Sequence, residues 1–283
     1  MPELKNVVPD IYKLLDNLNN GVDITEHFAP HLDMFAANMK EAVEHWSVVQ
    51  HKTGLRMSNI GRPDRRHWMD KNFPEVKEDL TAVKQINFLY GHILEQVLLL
   101  LVRAAGHTVE NEQGKVEVEG IKGSMDSVID GEVVDAKSAS SFAFRKFVNG
   151  TLGDDDPFGY MAQLAGYEEG YGTNEGGFLV INKENGALCL HVPEDLDKPN
   201  ASGRIIHLKE VIEAKEPPEL CYEPIKHGEG GNMTVSRQCG WCPHKFECFK
   251  DYNEGAGLRS FQYKQGVEYF TKVVKEPRVQ EIL

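Results

Sequence analysis

None of the five cysteines lies before residue 189; they stand at 189, 221, 239, 242 and 248. Most of the chain must therefore fold on an apolar core alone, and any thiol-based site belongs to the C-terminal part. Long apolar runs are lacking too. The longest, VLLLLV at 97–102, sits inside a helical pattern, well short of the roughly 20 residues that span a bilayer. The opening MPELKNVVPD has neither the basic nor the apolar region of a signal peptide, so the expectation is a cytoplasmic protein with no membrane association. Positive charge is the third shortage: 31 Lys and Arg against 44 Asp and Glu leave a net charge of −13. That balance excludes a protein that coats nucleic acid through bulk charge. It leaves room for an enzyme with a local basic groove, and three patches stand out: RPDRRHWMDK (62–71), FRKF (144–147) and YKQGVEYFTKVVKEPR (263–278). Such patches are more often solvated faces than binding sites. There is no internal repeat and no low-complexity segment.

What is present is ordinary for a globular protein, with 41% hydrophobic and 27% charged residues in 283. Apolar residues recur at helical spacing in DIYKLLDNL and HLDMFAANMKEAVEHWSVV, and most clearly in TAVKQINFLYGHILEQVLLLLVRAAG, where Gly106 is placed to cap the end. KVEVEG, GSMDSVI and EVVDAKS read as short strands. DDDPFGYMAQLAGYEEGYG reads as a helix with Asp156 as N-cap and Pro157 in its first turn, and GGFLVINKENGALCLHV as a hairpin. This order predicts an α/β fold, a central mixed sheet flanked by helices. Three regions are expected: a helical N-terminal region at 1–80, a core at 81–213, and a cysteine-bearing module at 214–283 entered through a Pro-, Gly- and Glu-rich loop.

The stretch GSMDSVIDGEVVDAKSAS (123–140) carries the sharpest signal. An Asp130-Gly131 turn between two apolar runs predicts a tight hairpin, because both residues tolerate positive φ. Pairing Ile129 with Glu132 places Val128 against Val133 and Asp126 against Asp135. Like charges placed opposite one another require a compensating cation. Lys137 projects from the same face as Asp135 and could serve. A divalent metal such as Mg²⁺ or Mn²⁺, held by both carboxylates, would serve better. For the triplet taken alone, a plain solvated hairpin face is the commoner explanation. Glu95 is out of place in the most apolar helix, where a buried carboxylate is costly unless it is paired or bound to a metal. Gln163 and Tyr167 share one face of the later helix.

Taken in order, G-x-x-x-E (Gly91 to Glu95), G-x-x-D (Gly123 to Asp126), D-x-K (Asp135 to Lys137) and Q-x-x-x-Y (Gln163 to Tyr167) resemble the PD-(D/E)XK nuclease superfamily. The resemblance is to its RecB-like branch, with the lambda-exonuclease-like viral exonucleases and the CRISPR-adaptation nucleases. It covers roughly residues 85–170 and implies a restriction-endonuclease-like core. By resemblance, Asp126, Asp135, the Ala136 carbonyl and Glu95 would hold catalytic Mg²⁺ or Mn²⁺, with His92 competing for the place of Glu95. Lys137 would orient the attacking water and stabilise charge on the phosphate, and Gln163 and Tyr167 would bind substrate by helping to position the nucleic-acid strand. The implied activity is metal-dependent DNA hydrolysis, as an exonuclease in recombination, repair or viral DNA metabolism. A viral source would place it in the host cytoplasm, and a single-strand annealing or single-strand binding protein would be its usual company. A structure-specific or single-strand endonuclease, and a non-catalytic DNA-binding scaffold that retains the fold, are the alternatives.

CGWCPHKFEC gives C-x2-C-x5-C at Cys239, Cys242 and Cys248, a metal-ligand spacing. It resembles the C-terminal cysteines of iron–sulfur nucleases in the same superfamily, in which a cysteine upstream of the core completes the set. Here the comparable region, SNIGRPDRRHW (58–68), has none. Cys221 is the expected replacement and Cys189 the weaker choice, with a [4Fe–4S] cluster or Zn²⁺ as the structural cofactor.

Overall fold

The structure is a computed structural model that describes residues 2–48, 54–76, 80–194 and 197–282. In chain order its helices and strands begin with α1 (Val7–Asn19), α2 (Thr25–Phe28), α3 (Leu32–Ser47), α4 (Asp64–Asn72) and α5 (Ala82–Ala104). Five strands follow, β1 (Val109–Glu110), β2 (Lys115–Val118), β3 (Ile121–Ser124), β4 (Ser127–Ile129) and β5 (Glu132–Ala139). Then come α6 (Ser141–Val148), α7 (Tyr160–Tyr171), β6 (Gly177–Asn182), β7 (Leu188–His191) and α8 (Ala201–Glu213). The rest comprises β8 (Ile225–His227), β9 (Asn232–Thr234), α9 (Arg237–Gly240), α10 (Lys245–Cys248), β10 (Arg259–Tyr263), β11 (Gly266–Lys272) and β12 (Glu281–Ile282).

Two compact units divide the chain, one of Met1–Gly61 with Leu80–His207, the other of Arg62–Asp79 with Leu208–Leu283. The N-terminal helices α1 to α3 thus share a unit with the central sheet, instead of forming a region of their own at 1–80. The basic stretch at 62–71 belongs with the cysteines.

The first unit is built on a five-stranded mixed sheet in the order β1-β4-β5-β6-β7. Only the β5–β6 pair is parallel, and α6 and α7 make that crossover, as a parallel connection requires. Every residue of β6 is buried, the pattern of a strand covered on both faces. One face of the sheet, with Val134, Leu179 and Ile181, packs against Val7 and Ile11 of α1 and Leu98, Leu99 and Val102 of α5. On the other face Phe178 meets Phe147 of α6 and Tyr160 of α7. By length and composition alone α5 could cross a membrane, which the sequence pattern did not suggest. Its C-terminal half instead supplies the core of this unit.

The hairpin forms in the expected register, with Ile129 opposite Glu132 and Val128 opposite Val133. Asp130 and Gly131 both take positive φ, +51° and +93°. The turn is pinned from outside the hairpin. Asp130 accepts hydrogen bonds from the Thr108 N–H at 3.0 Å and the Thr108 hydroxyl at 3.1 Å, and its other oxygen lies 2.6 Å from His107 Nδ1. The pairing of Asp126 with Asp135 does not form. The ladder ends at Ser127 opposite Val134, because GSMDSVI is not one strand: β3 pairs with β2 in a separate two-stranded sheet and β4 joins the central one. Asp126 lies in the bend where the chain changes sheets.

The second unit carries a five-stranded antiparallel sheet in the order β12-β10-β11-β9-β8. Its β8 and β9 lie within the stretch expected to be a loop, and β10 and β11 within the expected tail. Trp68 and Met69 of α4 pack against Val211 of α8, and the Trp68 indole donates to the Ala214 carbonyl at 2.8 Å.

Candidate active site

Strand β5 sets the site. Val134 and Ala136 turn into the core with α1 and α5, so Asp135 and Lys137, one residue out of phase, face the α7 side. Asp135 is 1% exposed. Its Oδ2 forms an ion pair with Lys137 Nζ at 2.5 Å. Asp126 reaches in from the bend, one oxygen accepting from the Ala136 N–H at 2.9 Å. That bond takes the place of the ladder contact the strand has lost. Glu95 comes from α5 and accepts from the Gln113 amide at 3.0 Å.

Burial, then the repulsion of Asp135 and Glu95, holds the Asp126 carboxyl well above the usual carboxylate range. Burial, then Asp135, pushes Glu95 up to about 7. Burial alone would lower the Lys137 ammonium, but Asp135 and Asp126 outweigh it and raise it above its ordinary value. The group is an excess of carboxylates around one cation, an arrangement that favours a further positive charge. Among the described residues no three His, Cys, Asp or Glu side chains are drawn close enough to form a ready chelate. The donors still fit a hard cation. Asp135 is a buried carboxylate, and Asp126 and Glu95 beside it are carboxylates too.

Glu95, Asp126, Ala136 and Lys137 all line one cleft of about 1530 Å³. His92 lines it too, but its ring packs edge-on to His45 at 6.2 Å, and burial with His45 lowers its pKa. Gln163 and Tyr167 are not among the lining residues. Both are buried, and the Gln163 amide donates to the Tyr167 hydroxyl at 3.0 Å. Burial, then Asp135, raises the Tyr167 phenol, so the pair lies behind the carboxylates. A Cβ on Gly123 would fall 2.8 Å from the Tyr167 ring and 2.6 Å from Met57 Cβ. The glycine that opens G-x-x-D is thus the seat of the tyrosine that closes Q-x-x-x-Y. Gly123→Ala should cost about 1–3 kcal/mol through overpacking, read as a lower midpoint of thermal unfolding; an unchanged midpoint would contradict this packing.

Outside the four motifs, Lys146, Phe158, Tyr160 and Lys183 also line the cleft. Lys146 belongs to the FRKF patch, which forms α6. Tyr160 lies one helical turn before Gln163, and Lys137 Nζ sits 4.7 Å from its ring centroid.

In the second unit Cys221, Cys239, Cys242 and Cys248 are neighbours. Burial, then Cys239, Cys248 and Cys242, pushes the Cys221 thiol up to about 12. Cys189 stands apart in β7, raised to about 11 by burial alone. Arg66 donates to Cys242 Sγ at 3.1 Å and to Asp70 at 2.9 Å, and Asp70 also meets His244 Nε2 at 2.7 Å. Cys248 is raised by burial, opposed by a hydrogen bond from Arg65. The RPDRRHW stretch, which lacks a cysteine, therefore meets the thiols through arginines.

No protein-family model and no curated protein matches the sequence. Among solved structures, the chain is similar to the crystal structure of SSO0001 at 16% identity and a TM-score of 0.40, over 75% of this chain and 94% of that one. It is also similar to an alkaline exonuclease (LHK-Exo) from Laribacter hongkongensis at 14% identity and a TM-score of 0.31, over 60% of this chain and 94% of that one.

Proposed function

We propose that this chain is a Mg²⁺- or Mn²⁺-dependent deoxyribonuclease of the PD-(D/E)XK type, an exonuclease of DNA recombination, repair or viral DNA metabolism. The supporting observation is the convergence of Asp126, Glu95 and Lys137 in one cleft, with Lys137 paired to the buried Asp135 carboxylate. Those three carboxylates and the Ala136 carbonyl would hold the metal, which when bound supplies an activated water and stabilises charge on the phosphate oxygens. Lys137 contributes a fixed positive charge, kept protonated by the two aspartates, beside the phosphate it is to neutralise. Gln163 and Tyr167 position the bend that carries Asp126, through the contact at Gly123.

The test is incubation of the protein with Mg²⁺ or Mn²⁺ on end-labelled linear and covalently closed circular DNA, beside an EDTA control. Loss of linear DNA alone supports the exonuclease. Cutting of circles moves the reading to an endonuclease, and no cleavage of any single- or double-stranded DNA leaves a scaffold.

Cys221, Cys239, Cys242 and Cys248 are proposed to hold a [4Fe–4S] cluster or Zn²⁺ in a structural role. Four neighbouring sulfurs, crowded enough that the other three raise the Cys221 thiol, form a donor set whose repulsion a bound cation would offset, and arginines meet two of them. Cys221→Ser should lower the bound iron or zinc found by elemental analysis several-fold, whereas Cys189→Ser should leave it unchanged. Equal metal content in both variants would remove Cys221 from the set.

A further inference from the structure

Phe158 is 53% exposed in the wall of the cleft, yet its loop is firmly held. Asp156 accepts from the Gly159 N–H and the Met161 N–H, both at 2.9 Å. Gly159 has φ +76° and lies so close to the Gly61 backbone that no Cβ fits between them. A phenylalanine fixed by its backbone and left in water adds little to folding, since apolar side chains stabilise by burial. Its ring lies nearly parallel to that of Tyr160, with centroids 5.5 Å apart and planes at 24°. Tyr160 in turn borders Lys137 and stacks on Phe147 as well, so Phe158 is the exposed end of an aromatic row that begins beside the proposed catalytic lysine. Lys146 and Lys183 line the same cleft. Lys146 is held by donation to the Asp155 carbonyl at 2.8 Å.

Aromatic faces combined with cations are how proteins bind an unpaired strand, because each base offers a π-face for stacking. Inside a duplex those faces are taken up by neighbouring bases. We infer that Phe158, backed by Tyr160, forms a stacking platform that seats an unpaired nucleotide of single-stranded DNA on the path to Lys137, so that the site takes single strands or frayed ends. The inference rests on the nuclease reading above and adds the form of the substrate and the residue that selects it. Phe158 is a positioning residue, since it meets the base and not the reacting phosphate.

The test is fluorescence anisotropy with the full chain in Ca²⁺. The probes are labelled oligo-dT, a strand of equal length made of abasic sugar phosphates, and a blunt hairpin duplex. The wild type should bind oligo-dT more tightly than the duplex. Phe158→Ala should weaken oligo-dT binding by about tenfold with no change on the abasic strand, and Phe158→Trp should restore it. Unchanged oligo-dT binding, an equal loss on the abasic strand, or a wild-type preference for duplex would overturn the platform. Cleavage of the same oligo-dT with Mn²⁺ separates the two readings. Phe158-dependent binding without any cleavage removes the nuclease and keeps the platform; cleavage with binding indifferent to Phe158 does the reverse.

Discussion

Asp135→Asn should reduce metal-dependent cleavage of linear DNA by at least about a thousandfold, and Lys137→Ala by about a hundredfold or more. Both changes act on one contact, the ion pair at 2.5 Å, but they fail differently. Asparagine at 135 keeps the shape and removes the charge that would draw in the metal, so added Mn²⁺ should no longer raise the unfolding midpoint. Alanine at 137 removes the competing cation and leaves Asp126, Asp135 and Glu95 in place. Mn²⁺ should then bind at least as well as in the wild type while cleavage stays low. Cleavage of DNA that survives Asp135→Asn, or a Lys137→Ala protein blind to Mn²⁺, would contradict these roles.

The hairpin was legible because a two-residue Asp-Gly turn leaves one register, and Ile129 opposite Glu132 follows from it. The position of Asp126 was not, since alternating apolar residues look the same whether a strand stays in its sheet or leaves it at a bend. The lysine was placed on the face of Asp135 by the period of two alone. Helix α6 has only eight residues, and its Arg145 and Lys146 masked the periodicity with charge. The short strands Ile225–His227 and Asn232–Thr234 flank a glycine-rich turn whose composition is that of a loop. Most hidden was the place of residues 62–76. Arg66 meets Cys242 across 176 positions of sequence, and no local pattern records a partner so distant. Phe158 was equally silent, because a single aromatic after a proline has no period to read.

Neutralising Glu95 should stabilise the metal-free protein, and increasingly so as pH rises. Its carboxyl is pushed up to about 7 from an ordinary 4.5, first by burial and then by Asp135. A carboxyl raised on folding binds its proton more tightly in the folded chain. Its stabilising contribution is therefore complete below about pH 4.5 and is lost as pH rises through about 7. The full shift corresponds to up to about 3 kcal/mol at 1.36 kcal/mol per unit. In EDTA, Glu95→Gln and wild type should thus unfold alike near pH 5. By pH 8 the variant should be more stable, by about 1–3 kcal/mol. Asp126→Asn should act in the same direction, because Asp126 is raised by burial and by the same neighbours. Mn²⁺ should reverse the order. At a hundred times its dissociation constant it would add about 2.7 kcal/mol to the wild type and much less to Glu95→Gln, and its affinity for the wild type should strengthen as pH rises through 7. Urea unfolding at both pH values, with and without Mn²⁺, decides the matter. A pH-independent difference, or an equal gain from Mn²⁺ in both proteins, would mean that Glu95 is an ordinary helix carboxylate and that the acidic cluster is closed by Lys137 alone.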